Sequence, residues 1–138
     1  RTIFVRGTFR GAPVDKRLEI DQSPWYQATS LSLRELVASV DSERVFWTIR
    51  MDTLTAHKIR AIKKGVESGV SDGRQNELLR IQLTLPGMLA PFWKSDYWFA
   101  LPERIFYRFK GPSGPPGSPT TIVTRVSSQA AGKKLPGT

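Results

Sequence analysis

Phe4, Phe46 and Phe106 each stand two residues from an arginine in a run that alternates apolar and polar side chains. The resulting polar faces read Phe4/Arg6/Arg10, Arg44/Phe46/Arg50 and Arg104/Phe106/Arg108/Lys110. Rings interleaved with guanidinium groups suit single-stranded nucleic acid. Cations follow the phosphates, with a gain that falls as salt rises because releasing counterions into a saltier solution is less favourable. Bases of any identity stack on aromatic rings for roughly 1–3 kcal/mol each. A fourth alternating run supplies Arg80, with Gln82 and Thr84 beside it. An acidic protein surface would reward the arginines equally, but it would leave the outward phenylalanines unexplained.

Lys58, Arg60, Lys63 and Lys64 form a second basic cluster. It suits phosphate contact, and it equally suits the solvated end of a helix, where cations meet the negative end of the dipole. Lys133 and Lys134 near the C-terminus add weak, non-specific attraction.

Catalytic chemistry finds little material. His57 is the only histidine and has no sequence-adjacent partner that would mark a dyad. The acids show no metal-ligand spacing. The Gly-rich stretch 111–117 lacks the Gly-Lys-Ser/Thr ending of a phosphate loop and is interrupted by prolines. A non-enzymatic chain without cofactor or metal is the expectation. A small phosphodiesterase using His57 is the least favoured alternative.

Composition agrees with a polyanion partner. The chain has 138 residues and a formal charge of +9. Acids thin from six to four to two across residues 1–46, 47–92 and 93–138, while each third keeps seven bases. This length suits one domain with a modest core. The absence of cysteine excludes disulfides, thiolate catalysis and Cys-based zinc sites, and it fits an intracellular setting or a nucleoprotein particle. No apolar run approaches the length of a membrane-spanning helix, so no membrane partner is expected.

The elements that must position these residues follow from periodicity. Alternation predicts strands at 2–10, 44–51, 78–85 and 104–110; a short strand is also expected near 17–20, and the Thr, Ile and Val content of 120–126 suits a last one. Ile3, Val5 and Phe9 form the buried side of the first, Val45, Trp47, Ile49 and Met51 that of the second, and Ile105, Tyr107 and Phe109 that of the fourth. Ser32-Leu33-Arg34-Glu35 has the form of a capping box, and Leu33, Leu36, Val37 and Val40 follow at helical spacing, so a short helix is predicted over 33–40. A second helix is predicted over 53–64, ended by Gly65 at C′. Residues 65–76 read as a mobile loop, as does the aromatic segment 88–102.

The expected fold is therefore α+β, a mainly antiparallel sheet of about six or seven strands with two short helices packed on its apolar face. Its organisation is a nucleic-acid-binding domain over 1–110, a Gly/Pro/Ser linker over 111–119, a returning strand over 120–126 and a flexible basic tail over 127–138. The expected partner is RNA or single-stranded DNA within a larger nucleoprotein assembly. The alternative is a structural assembly subunit, a viral coat or ribosomal-type component, that oligomerises through segment 88–102.

Overall fold

The computed structural model describes residues 1–71 and 73–126, and the predicted tail 127–138 lies outside them. Its strands are β1 (Thr2–Phe9), β2 (Ala12–Glu19), β3 (Glu43–Arg50), β4 (Thr55–Ser71), β5 (Arg74–Thr84), β6 (Lys94–Leu101), β7 (Ile105–Pro112) and β8 (Thr120–Thr124). Two short helices, α1 (Thr29–Ser32) and α2 (Arg34–Ala38), precede β3, and a 3₁₀ helix spans Gly87–Phe92. β1 and β2 form a hairpin sheet of their own, while β3 to β8 form a six-stranded antiparallel meander in sequence order. The architecture is mainly β, and the α+β expectation is corrected accordingly.

The first hairpin follows its sequence closely. Ile3, Val5 and Phe9 face inward, and Phe4 and Arg6 face solvent. Arg10 and Gly11 make the turn with φ of +52° and +79°. Two consecutive positive φ values are what a two-residue type I′ turn needs, because its twist matches that of the strands it joins.

The helix expected over 53–64 is instead the first part of β4. Both patterns are present in that stretch, and the neighbours decide between them. β3 pairs with it from Glu43↔Ile62 to Arg50↔Thr55, and β5 pairs on the other side from Arg60↔Thr84 onward. The ladder places His57, Ile59 and Ala61 on one face, with Ala56, Lys58, Arg60 and Ile62 on the other. Gly65, expected to end a helix, sits at a bulge where the register shifts between Lys63 and Gly65. Its φ of +137° is a conformation that L side chains rarely adopt. Residues 65–76, expected to form a loop, instead hold the end of β4 and the start of β5, with Ser71 opposite Arg74, and the Asp-Gly dipeptide between them is a strong hairpin signal in the sequence.

The helix expected over 33–40 forms as α2 over Arg34–Ala38, Leu33 links it to α1, and no side chain caps either helix. Glu35, expected to close a capping box, accepts a hydrogen bond from Tyr26 Oη at 3.1 Å instead. Leu33 and Leu36 still point inward and are fully buried with Tyr26, Phe46, Ile59, Ala61, Ile81, Leu83 and Phe99. This cluster lies on what we term the inner face of the meander. On the outer face a second cluster joins Ile3 and Ile20 to Ile49 and Leu54, with Trp47 and Ala56 packed against it. The molecule is thus layered as hairpin, sheet and helices.

Segment 88–102, expected to be a loop, contains β6. Ser95, Tyr97 and Phe99 face inward, while Asp96 and Trp98 face outward, an alternation the crowding of aromatics hides. The strand at 104–110 has its inward set corrected. A register shift at Trp98/Phe99 brings Phe106 opposite Phe99 and Phe109 opposite Tyr97. Phe106 and Phe109 therefore share the inner face, Ile105 is exposed, and Arg104 lies in the preceding turn with φ +59°. The Gly/Pro/Ser stretch 111–119 leads from β7 to β8. Gly111 and Pro112 complete β7, and the rest is an ordered loop, with Ser113 N–H donating to Pro119 O and Trp93 Nε1 donating to Gly114 O, each at 3.0 Å.

Arg10 occupies a left-handed position that asparagine or glycine adopts more readily. Arg10→Asn is expected to stabilise the protein by about 0.5–1 kcal/mol, read as a shift in the denaturant midpoint with an unchanged slope. A lower midpoint would contradict the turn assignment.

Candidate nucleic-acid interface

The three-strand platform of phenylalanines does not form. Phe46 is fully buried beneath the helices, its ring tilted against Tyr26 at a centroid distance of 5.0 Å. Phe106 lies inward against Phe99 and Tyr97. β3 is apolar on both sides, so alternation alone does not reveal which side meets the helices. Arg44 and Arg50 share the inner face with Phe46, at its rim. Arg44 donates to Tyr26 Oη and Asp41, and Arg50 to both carboxylate oxygens of Asp52. These bonds raise both guanidinium pKa values, and Asp52 is lowered by the same contact.

The lysine-rich cluster is also divided by the strand. Lys63 projects inward and donates to Ser39 O at 2.6 Å, at the C-terminal end of α2, where a cation is favoured. Lys58 and Arg60 project outward and pair with Asp21 and Glu43. Lys64 is exposed at the bulge, and Arg104 and Arg10 sit in turns.

What the outer face does assemble is a row across β5, β6 and β7. Arg80 and Arg108 lie directly opposite Trp98 on its two neighbouring strands. Their guanidinium carbons stand 5.8 and 5.3 Å from the indole centroid. Each such contact contributes about 0.5–1 kcal/mol at an exposed site. Arg80 Nε also donates to Asp96 at 2.8 Å, chiefly for which reason its pKa is raised. Trp98 Nε1 donates to Glu67 at 3.1 Å, fixing the indole plane. Arg108 differs from Arg80: its Nε is buried without a hydrogen-bond partner. Lys94, Arg108 and Lys110 take part in no ion pair among the described residues. Their charge is available to an incoming anion.

Phe4 keeps its expected place. It is 54% exposed on the hairpin's solvent side, with Arg6 and Arg17 at 5.4 and 5.3 Å from its ring. Arg6 is paired with Asp15 at 3.3 Å, between two well-exposed side chains, a contact of small energetic weight. Sequence reasoning missed Trp98, Lys94 and Arg17. The Lys94/Asp96/Trp98 alternation against Ser95/Tyr97/Phe99 was the signal for the first two.

The hairpin is latched to the sheet by Asp21. Its carboxylate meets Lys58 Nζ, accepts from Trp47 Nε1 at 2.9 Å and accepts from Ser23 N–H at 2.9 Å. These bonds, the Lys58 one foremost, hold its pKa far below the usual carboxylate range. Lys58 in turn lies 5.2 Å from the Trp47 ring.

His57 Nε2 bonds the Thr55 hydroxyl at 2.9 Å, and the bond involves no carboxylate. No group of three or more His, Asp or Glu side chains is arranged to hold a metal ion among the described residues. No family model matches the chain, and no curated protein or solved structure matches it significantly.

A depressed carboxylate stabilises the fold above its unfolded pKa, and that contribution is lost as pH falls through the folded value. Asp21→Asn is therefore expected to lower the melting temperature at pH 7. The gap between variant and parent should narrow below about pH 4, where an unfolded aspartate protonates. A gap independent of pH in thermal melts would show that Asp21 acts without its charge.

Proposed function

We propose that the chain binds RNA or single-stranded DNA, without catalysis, through the outer face of its meander, as part of a larger nucleoprotein assembly. The observation that carries this reading is the Arg80–Trp98–Arg108 row, with Lys94 and Lys110 unpaired beside it. Guanidinium planes and aromatic faces both accept unstacked bases, and single strands expose such bases where duplexes do not. Lys94, Arg108 and Lys110 supply phosphate contacts without first breaking an ion pair. Phe4, with Arg6 and Arg17, adds a second stacking point on the same side of the molecule, because the hairpin covers the β3–β4 end of that face. Arg60 and Lys58 lie between the two and contribute less, since Glu43 and Asp21 already neutralise them.

The double variant Arg108→Glu/Lys110→Glu tests the reading by fluorescence anisotropy with labelled single-stranded RNA and DNA. Binding should weaken at least about tenfold at fixed salt, and the slope of log affinity against log salt should become shallower by about 1.4, roughly 0.7 for each lost contact. Parent-like affinity in the variant, or a parent that binds no single strand, would sink the proposal.

A second reading, a structural assembly subunit, is favoured by the edges of the sheet. The β3 edge is occupied: Trp47 N–H donates to Pro24 O and Trp47 O accepts from Tyr26 N–H. The β8 edge has no such cover among the described residues. Arg125 N–H donates to Tyr107 O, so in the β7–β8 register Thr121 and Val123 face β7 while Ile122 and Thr124 turn their backbone groups outward. Such an edge is a template for another strand. Met88, Leu89 and Phe92 on the 3₁₀ helix add an exposed apolar patch. Ile122→Pro removes one outward N–H without touching a β7–β8 hydrogen bond. Under this reading, light scattering should show an oligomeric parent and a smaller variant; a monomeric parent would refute it.

A further inference from the structure

We infer that the inner face holds a binding site for a neutral, largely apolar molecule carrying one hydrogen-bonding group. The helices cover this face at one end only. Beside them lies a cavity of about 540 Å³, well within the range of small-molecule sites. Phe46, Ile59, Leu83 and Phe109 give it an apolar floor, and Trp93 and the 113–116 segment close one side.

The polar groups on its wall narrow the chemistry, because nearly all have partners. Gln27 spends its amide on the Ile49 backbone, donating to O and accepting from N–H at 3.0 Å each. Tyr97 Oη bonds Thr29 Oγ1 at 2.6 Å. Arg50 is matched by Asp52, so no unpaired cation faces the cavity to recognise a carboxylate or phosphate. Ser95 stands apart. It is 1% exposed, lines the cavity, and its Oγ has no hydrogen-bond partner.

A buried hydroxyl without a partner costs about 1–3 kcal/mol, which a ligand group that bonds it recovers. Gly111 of β7 packs directly beside Ser95, where an added Cβ would come within 2.4 Å of Ser95 Cβ. Apolar walls, neutralised charges and one unspent hydroxyl together select a flat hydrophobe bearing a single hydroxyl or carbonyl. None of these residues lies on the outer face, so the inference is independent of nucleic-acid binding.

The test uses the full chain with naphthalene and 2-naphthol as probes in calorimetric titrations at pH 7. The parent should bind both at one saturable site, 2-naphthol tighter by roughly three- to tenfold, as one hydrogen bond provides. Ser95→Ala should keep naphthalene binding and abolish the preference. Thr48→Trp, which fills the cavity from β3, should weaken both by more than about tenfold. No saturable binding by the parent overturns the inference, as does a preference that survives Ser95→Ala. Parent-like binding by a folded Thr48→Trp places the probes elsewhere and overturns it too. If that variant does not fold, the Ser95→Ala comparison decides alone.

Discussion

Two hydrophobic clusters meet back to back on β3, and the other elements are disposed so as to keep both dry. Phe46 enters the inner cluster with Leu33, Leu36 and Phe99, while Ile49 and Trp47 enter the outer one with Ile3 and Ile20. Burying one such side chain contributes roughly 1.5–3 kcal/mol, so neither side of β3 can be left to solvent without a large loss. The helices must lie on one side and the first hairpin on the other. Because the hairpin shares no backbone hydrogen-bond ladder with the meander, its docking depends on side chains, which is why the Asp21 contacts with Lys58 and Trp47 matter.

That arrangement also decides which polar surface remains. With β3 and the start of β4 covered, the open part of the outer face falls on β5, β6 and β7. There the charges sort into two kinds. Lys58, Arg60 and Arg80 hold acids, and among the described residues Lys94, Arg108 and Lys110 do not. The first kind fixes side-chain positions, and the second is free to attract. The inner face follows a different logic, with its rim charges cancelled and its walls apolar.

Much of the strand framework was legible in the sequence. Period-two alternation located β1, β3, β5 and β7 and placed Arg80, Arg108 and Lys110 on the polar side, while the Thr, Ile and Val content of 120–126 pointed to β8. Alternation failed where a strand is apolar on both faces, as at Phe46 in β3. It failed again where a bulge resets parity, as between Phe106 and Phe109. The 53–64 segment carries both helical and strand spacing, and only the long-range ladder from β3 and β5 resolves the conflict. In β6 the alternation was present, but a run of large aromatics on both sides concealed it. The cavity could not be foreseen, because its wall draws on β3 to β7, α1 and four connecting segments, and the isolation of Ser95 Oγ is a property of packing.

Each hydrogen-bonded strand pair in the meander joins consecutive strands, and the first hairpin is likewise local. The longest of these ribbons, β4 with β5, is closed by a two-residue connection between Ser71 and Arg74. Loop-closure entropy is small for such neighbours, so pairing can zip outward from turns without waiting for distant segments to meet. The chain is accordingly built to fold quickly for a mainly-β protein. The distant assembly steps are two, the seating of the N-terminal hairpin on β3 and β4 and the seating of the helices on the inner face against Ile81 and Phe99.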